Sequence, residues 1–222
     1  MISPNALCYG DKPDILRRYI KGRGSAAGLG ESRCCEIQQR GGHKRNEKNC
    51  QFFHVDRLEE FAGSHTQLMS VSALGEKHRW ISDRGWTLIE QWFPRGLSRW
   101  GDFWLLHDHD HRDPERSIEL TLEIVRRSLH PDRVSRFQGL FGFDSLERAE
   151  DFASSHDCRD KPIWEITAAS WFMGDMKWLK ACSLPVEEAA FAWGYWSGVP
   201  FDAEPDWEFV LSLPVDIVRR VR

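Results

Sequence analysis

The sequence predicts one α+β domain. Short runs rich in aromatic and β-branched residues are mixed with amphipathic helices, without the regular strand–helix alternation of a parallel α/β fold. The 222 residues are 41% hydrophobic and 12% aromatic, which is enough to bury one core. This composition excludes a wholly disordered or fibrous chain.

The N-terminal part differs in composition from the rest. Residues 22–49 contain six glycines, many charges and few large apolar side chains, so they gain too little from burial to offset their ordering entropy. Residues 1–50 hold ten Lys/Arg against five Asp/Glu. We therefore predict a flexible, basic tail over residues 1–49, with one short helix at 13–21, and a folded domain over residues 50–222.

Each element of the domain has a local signal. An aromatic run at 51–57 predicts a strand, and Ser82 or Asp83 begins a helix that ends before Pro94. A helix over 114–130 follows from the Asp113 cap, Pro114 at the first position and apolar residues at helical spacing. The remaining predictions are strands at 136–143, 162–169, 207–213 and 215–221, and helices at 144–154 and 185–196, the last capped by Ser183.

Charge and hydropathy narrow the classes of partner. The net charge is −4 and the isoelectric point is near 6.1, so nucleic acid is not the predicted partner. No run of about 18 apolar residues is present, and the N-terminus lacks the apolar segment of a secretory signal, so we expect no membrane partner and a cytoplasmic protein. The six cysteines lack C-x-x-C spacing, which favours reduced thiols.

A histidine cluster offers one candidate chemistry. His107, His109 and His111 alternate with aspartates, and neutral imidazoles are good ligands for zinc or nickel. The three histidines make a metal-dependent hydrolase an alternative hypothesis, although the cluster lacks a complete hydrolase ligand set. A polar loop ahead of Asp113 is the simpler interpretation, and we assign no metal ligand.

A second set of residues is spread over the domain. His54 and Arg57 lie on the first predicted strand, and Ser135 and Arg136 adjoin the second. A Tyr195-Trp-Ser-Gly segment ends a predicted helix, and Glu208 follows Asp206 by two residues on a late strand. This order resembles the ADP-ribosyltransferase superfamily, which places a His or Arg, then a Ser or Tyr, then a Glu on successive strands around NAD.

The region from Phe52 to Val221 also resembles an uncharacterised bacterial domain family with a His, a Ser-Arg pair, a Tyr-Trp-x-Gly helix end and a late Glu. The sequence lacks the Ser-Thr-Ser triplet and the middle-strand Tyr found in some superfamily members. The class of ADP-ribosyltransferase therefore stays open.

The resemblance implies a split mixed β-sheet core surrounded by helices, NAD as the cofactor and Glu208 as the catalytic residue. A carboxylate beside the sugar stabilises positive charge that develops as a glycosidic bond breaks. His54, Arg57, Ser135, Arg136 and Tyr195 are the predicted cofactor-binding residues.

The resemblance also implies a protein acceptor, for which a host protein such as ubiquitin is one candidate, and a bacterial effector or toxin that acts as a monomer. Such a protein is cytoplasmic, or is secreted into a host cell without a cleaved signal peptide. A non-catalytic interaction domain on the same fold is the other alternative.

Each candidate also has an ordinary structural interpretation. His54 fits a histidine bonded to backbone, Ser135 a turn cap and Arg136 an ion pair with a helix acid, while Tyr195 fits core packing. The catalytic hypothesis requires a specific geometry, which distinguishes it from the ordinary structural interpretation. His54 and Glu208 should lie within about 10 Å of each other, on the same side of the sheet and open to solvent.

Overall fold

A computed structural model describes residues 50–58, 61, 67–108, 114–182 and 184–222. All of them belong to one compact unit, Gly42–Arg222. The predicted tail at 1–49 and its helix lie outside the described residues. None of the helices in the described ranges is both long and apolar enough to span a bilayer.

Six strands in the described part of the chain form two small sheets. The strands are β1 (Cys50–Val55), β2 (Gly139–Gly142), β3 (Ile163–Ala168), β4 (Trp171–Asp175), β5 (Trp207–Ser212) and β6 (Asp216–Arg220). The first sheet has the order β1-β3-β6 and the second the order β2-β5-β4. Every described strand pair is antiparallel. The α+β class is therefore confirmed, whereas the sheets are antiparallel rather than mixed.

The two sheets meet at β1 and β2. Phe53 and Phe143 form an antiparallel bridge in which each backbone N–H donates to the other carbonyl over 2.8 Å. Apolar side chains from both sheets then pack into a shared core that includes Phe52, Ile166 and Phe209. The last residues of β1 are thereby held against β2.

Six α-helices surround the sheets in the described part of the chain. They are α1 (Val71–Lys77), α2 (Asp83–Trp92), α3 (Arg99–Leu106), α4 (Pro114–Leu129), α5 (Leu146–Ser155) and α6 (Pro185–Ser197). Serine side chains cap four of them by accepting a backbone N–H in the first turn, at positions Ser70, Ser82, Ser98 and Ser145. The N-cap of α6 is Leu184, which makes no side-chain cap; the predicted cap, Ser183, lies outside the described residues.

Three of the described helices pack on the sheets, and the other three form a cluster of their own. Buried residues of α4 and α6, among them Leu122 and Trp196, pack against Val210 of the second sheet. Helix α5 packs its alanines against Val55 and Ile163 of the first sheet. The three short helices α1 to α3 form a separate cluster around Phe93 and Phe137.

One predicted element is partly wrong. The predicted strand at 136–143 begins instead with a 3-10 helix at Arg136–Gln138, because the Ser135 hydroxyl accepts the Phe137 N–H and tightens the turn. Only Gly139–Gly142 is extended. The sequence analysis also did not predict α1, α3 or β4. Strand β4 contains Gly174 and Asp175, two residue types that are depleted in strands.

Candidate functional site

A cavity of about 250 Å³ lies where the two sheets meet. Strand β1 contributes His54 to its lining, β2 contributes Phe141 and β5 contributes Glu208. Helices α3, α4 and α5 add Trp100, Glu119 and Phe152. Four predicted site residues that are far apart in sequence, His54, Arg57, Arg136 and Glu208, therefore line one cavity.

Glu208 belongs to a buried charge network on the cavity wall. Its Oε1 accepts hydrogen bonds from Arg136 Nη1 and from the Tyr195 hydroxyl, the latter over 2.7 Å. Neither of these two donors contacts the other carboxylate oxygen, Oε2. The Glu208 side chain is 6% exposed. The network thus fixes one carboxylate oxygen of Glu208.

Arg136 lies between two acids. Its Nε and Nη2 donate to the Glu119 carboxylate over 2.8 to 3.2 Å, while Nη1 donates to Glu208 and to the Tyr195 oxygen. Burial alone would lower the pKa of Arg136, but the charges of Glu119 and Glu208 outweigh it and raise that pKa well above its ordinary value. All three nitrogens of the guanidinium therefore bind the two carboxylates and hold them in place.

Tyr195 is the second hydrogen-bond donor to Glu208. Its ring is fully buried in the α4–α6 core, and the hydroxyl accepts from Arg136 and donates to Glu208. Burial raises the pKa of Tyr195 well above its ordinary value, and the Glu208 charge adds to this, so the hydroxyl keeps its proton. Tyr195 does not line the cavity.

His54 faces the cavity from β1. Its Nδ1 lies 2.6 Å from the Phe141 carbonyl, which only accepts, so Nδ1 carries a proton. Its Nε2 lies 4.0 Å from Asp56 Oδ1, and the ring makes an edge contact with Phe61. This backbone bond matches the ordinary interpretation of His54, and it also fixes the ring orientation toward the cavity.

Arg57 is the exposed cation of the site. Its guanidinium carbon lies 5.9 Å from the Trp100 ring centre and 5.8 Å from that of Phe152. Because both rings also line the cavity, the Arg57 side chain is placed at the cavity mouth.

Ser135 lies outside the cavity lining. Its hydroxyl donates to Glu123 over 2.8 Å and accepts the Phe137 N–H over 3.2 Å. Glu123 in turn forms a bidentate pair with Arg126. The turn cap expected of Ser135 and the helix-acid pair expected of Arg136 are thus both observed.

The geometric demand on His54 and Glu208 is met only in part, because β1 and β5 belong to different sheets and the expected placement on one side of a single sheet is wrong. Both side chains line the same cavity, but His54 is only 4% exposed and Glu208 only 5% exposed. The expected opening to bulk solvent is wrong, because Phe61 makes an edge contact with the His54 ring, and Arg136 and Tyr195 contact the Glu208 carboxylate. A ligand would reach both residues through the cavity.

The sequence analysis missed Glu119 and Trp100. Glu119 and Glu123 stand one helical turn apart on α4, beside the buried Leu122, so two acids share the margin of an apolar face. Acids in that position need a buried cation, and this signal was available in the sequence.

The predicted histidine cluster is only partly described. His107 follows α3, and its Nε2 lies 3.6 Å from Oδ2 of the buried Asp102. His78 Nε2 donates to the other Asp102 oxygen. His109 and His111 lie outside the described residues.

Comparison with known proteins adds no family assignment. No protein-family model matches the chain, and no curated protein is significantly similar to it. A functional interpretation therefore rests on the geometry of the cavity and on the resemblance in the order of its residues.

Proposed function

We propose that the protein is an NAD-dependent ADP-ribosyltransferase that acts on a protein acceptor. The observation that supports this is the gathering of His54, Arg57, Arg136 and Glu208 around one cavity. His54 lies on the first strand, Arg57 just after it, Arg136 in the turn before the second strand and Glu208 on the fifth. The first and last of these match the stations of the ADP-ribosyltransferase superfamily, whereas the middle-station Ser135 lies outside the cavity.

The donor set fits one half of NAD. A cavity of about 250 Å³ is slightly below the 300 to 1,000 Å³ that is typical for sites enclosing a drug-sized ligand. It suits the nicotinamide and its ribose, with the pyrophosphate outside. Arg57 at the mouth would meet the phosphate oxygens, for which a planar guanidinium is well matched.

Glu208 is the proposed catalytic residue. NAD supplies a sugar–nicotinamide bond that breaks with its electron pair leaving on nicotinamide, while an acceptor nucleophile bonds to the same sugar carbon and loses its proton to a base. Glu208 would stabilise the positive charge that develops on the sugar. Its Oε2, which receives no described protein donor, is the atom available for this contact or for a ribose hydroxyl.

Arg136 and Tyr195 are positioning residues in this proposal. Arg136 is already bound to Glu119 and Glu208, so it orients the catalytic carboxylate rather than the pyrophosphate. The buried Tyr195 hydroxyl donates to the same Glu208 carboxylate. Holding a charged group in a fixed orientation before the reaction is what makes electrostatic stabilisation effective.

Nicotinamide release from NAD tests the proposal. The wild-type protein is incubated with NAD and a cell lysate, and both nicotinamide release and label transfer from adenylate-labelled NAD are measured. We expect Glu208→Gln to lower both by about 10²- to 10³-fold, the usual loss when one transition-state contact is removed. Glu204→Gln, an exposed acid on the same segment, should keep wild-type activity.

Two outcomes would contradict this proposal. The first is wild-type protein that releases no nicotinamide above the uncatalysed rate, and the second is equal activity in Glu208→Gln. The proposal also includes an acceptor such as ubiquitin, a monomeric state, and an effector or toxin role in the cytoplasm or in a host cell.

A non-catalytic interaction domain is the second candidate. Several large apolar side chains are exposed, with Val186 at 73% and Trp80 at 68%. Exposed apolar side chains are common on monomers, so they support this candidate only if the NAD assay is negative.

A further inference from the structure

A cluster of two histidines and one aspartate lies on the helices α1 and α3, outside the lining of the cavity described above. His78 is the C-cap of α1, Asp102 lies in the first turn of α3 and His107 is the C-cap of α3. One ligand atom from each residue lies within 4.8 Å of those from the other two. We propose that His78, Asp102 and His107 bind a divalent transition-metal ion, with zinc as the first candidate.

The donor types suit such an ion. Two imidazoles and one carboxylate form a three-ligand set of the kind that binds zinc with one coordination position left open. His78 is fully buried and Asp102 is 2% exposed, whereas the His107 side chain is 39% exposed. An ion would therefore enter from the His107 side and meet a carboxylate already shielded from water.

The spacing requires only small movements. His107 Nε2 lies 3.6 Å from Asp102 Oδ2, and His78 Nε2 contacts Asp102 Oδ1 directly. Metal bonds of about 2.0 to 2.2 Å to nitrogen and oxygen place neighbouring ligand atoms somewhat over 3 Å apart. Binding would separate the His78–Asp102 pair slightly and draw His107 inward.

Lys77 is the competitor for this site. Its ammonium group donates to the same Asp102 oxygen that faces His107. The Lys77 side chain is 44% exposed, so it can leave the carboxylate at little cost. Removing the Lys77 charge should therefore strengthen metal binding, an effect that a purely structural hydrogen-bond cluster would not produce.

The test measures metal binding directly on the full chain after removal of adventitious metal. Zinc affinity is measured by competition with a chromophoric chelator, and Co²⁺ is added separately to observe the visible absorption of a low-coordinate site. We expect one equivalent of metal at this site, a loss of affinity of about 100-fold or more in His107→Ala, and a gain of up to about five-fold in Lys77→Gln.

Controls separate this site from the other histidines and cysteines. His130→Gln and the double variant His109→Ala/His111→Ala should retain binding. His107 is exposed, so His107→Ala should fold even if Asp102→Asn does not, and circular dichroism checks this. The proposal is overturned if the protein does not compete with the chelator for zinc or if His107→Ala binds zinc as tightly as the wild type does. It is also overturned if binding is lost only in the His109→Ala/His111→Ala double variant.

Discussion

Replacing Arg136 with methionine should destabilise the fold strongly. The Glu119 and Glu208 side chains that pair with Arg136 are each only 6 to 7% exposed. Methionine fills most of the space without charge, so the two buried carboxylates lose their common cation. Breaking a buried ion pair in this way costs about 3 to 5 kcal/mol.

Urea denaturation followed by tryptophan fluorescence measures this effect. A slope of about 2.5 kcal/mol per M is reasonable for a domain of this size, so the midpoint should fall by about 1 to 2 M. Arg95→Met, which removes an exposed arginine, should change the free energy of unfolding by no more than about 0.5 kcal/mol.

A triple variant identifies the cause. In a Tyr195→Phe background, which leaves no buried hydroxyl without its partners, Glu119→Leu/Arg136→Met/Glu208→Leu removes all three charges. Replacing a complete buried ion network with apolar residues is often neutral or stabilising. We expect the triple variant to recover most of the stability lost in Arg136→Met. A single variant within about 1 kcal/mol of wild type, or a triple variant no more stable than the single, would refute the electrostatic explanation.

Three further predictions concern other residues. Gly174→Ala should cost about 1 to 3 kcal/mol, because the new Cβ would lie 2.5 Å from the Tyr195 ring, whereas Gly75→Ala meets nothing within 4 Å and should be slightly stabilising; thermal unfolding of both variants checks this. Asp175→Ala should cost about 3 kcal/mol or more in urea denaturation, because this fully buried carboxylate accepts three backbone N–H groups, and Asp175→Asn should cost less. Burial, helped by a neighbouring arginine, lowers the pKa of His130, so the His130 contribution to stability should be constant above about pH 6.5 and should become unfavourable as the pH drops toward the lower folded-state value. His130→Gln should lack this contribution, and equal pH profiles for the two proteins would contradict it.

Elements with strong local signals were predictable. Helix α4 begins at Pro114 and ends at Leu129, within one residue of the predicted bounds, because proline at the start and helical apolar spacing act locally. Strands β3 and β5 were likewise found from their β-branched and aromatic residues.

The partners within the site were harder to predict. The Arg136 pair with Glu119 depends on how α4 packs against the turn before β2, a contact between residues 17 positions apart. The His78–Asp102 contact likewise spans 24 positions and depends on the packing of α1 against α3. Periodicity and capping rules describe neighbours along the chain, so they do not specify such contacts.

The split between the sheets determines how the cavity residues come together. His54 belongs to one sheet and Glu208 to the other, and the sheets are joined at the Phe53–Phe143 bridge and by the His54 bond to the Phe141 carbonyl. The relative position of the two residues therefore depends on the seam between the sheets, which these two contacts form, rather than on the hydrogen bonds of one continuous sheet. Hydrogen exchange at the Phe53 and Phe143 amides would report directly on whether this seam is closed, and hence on how often both residues face the cavity together.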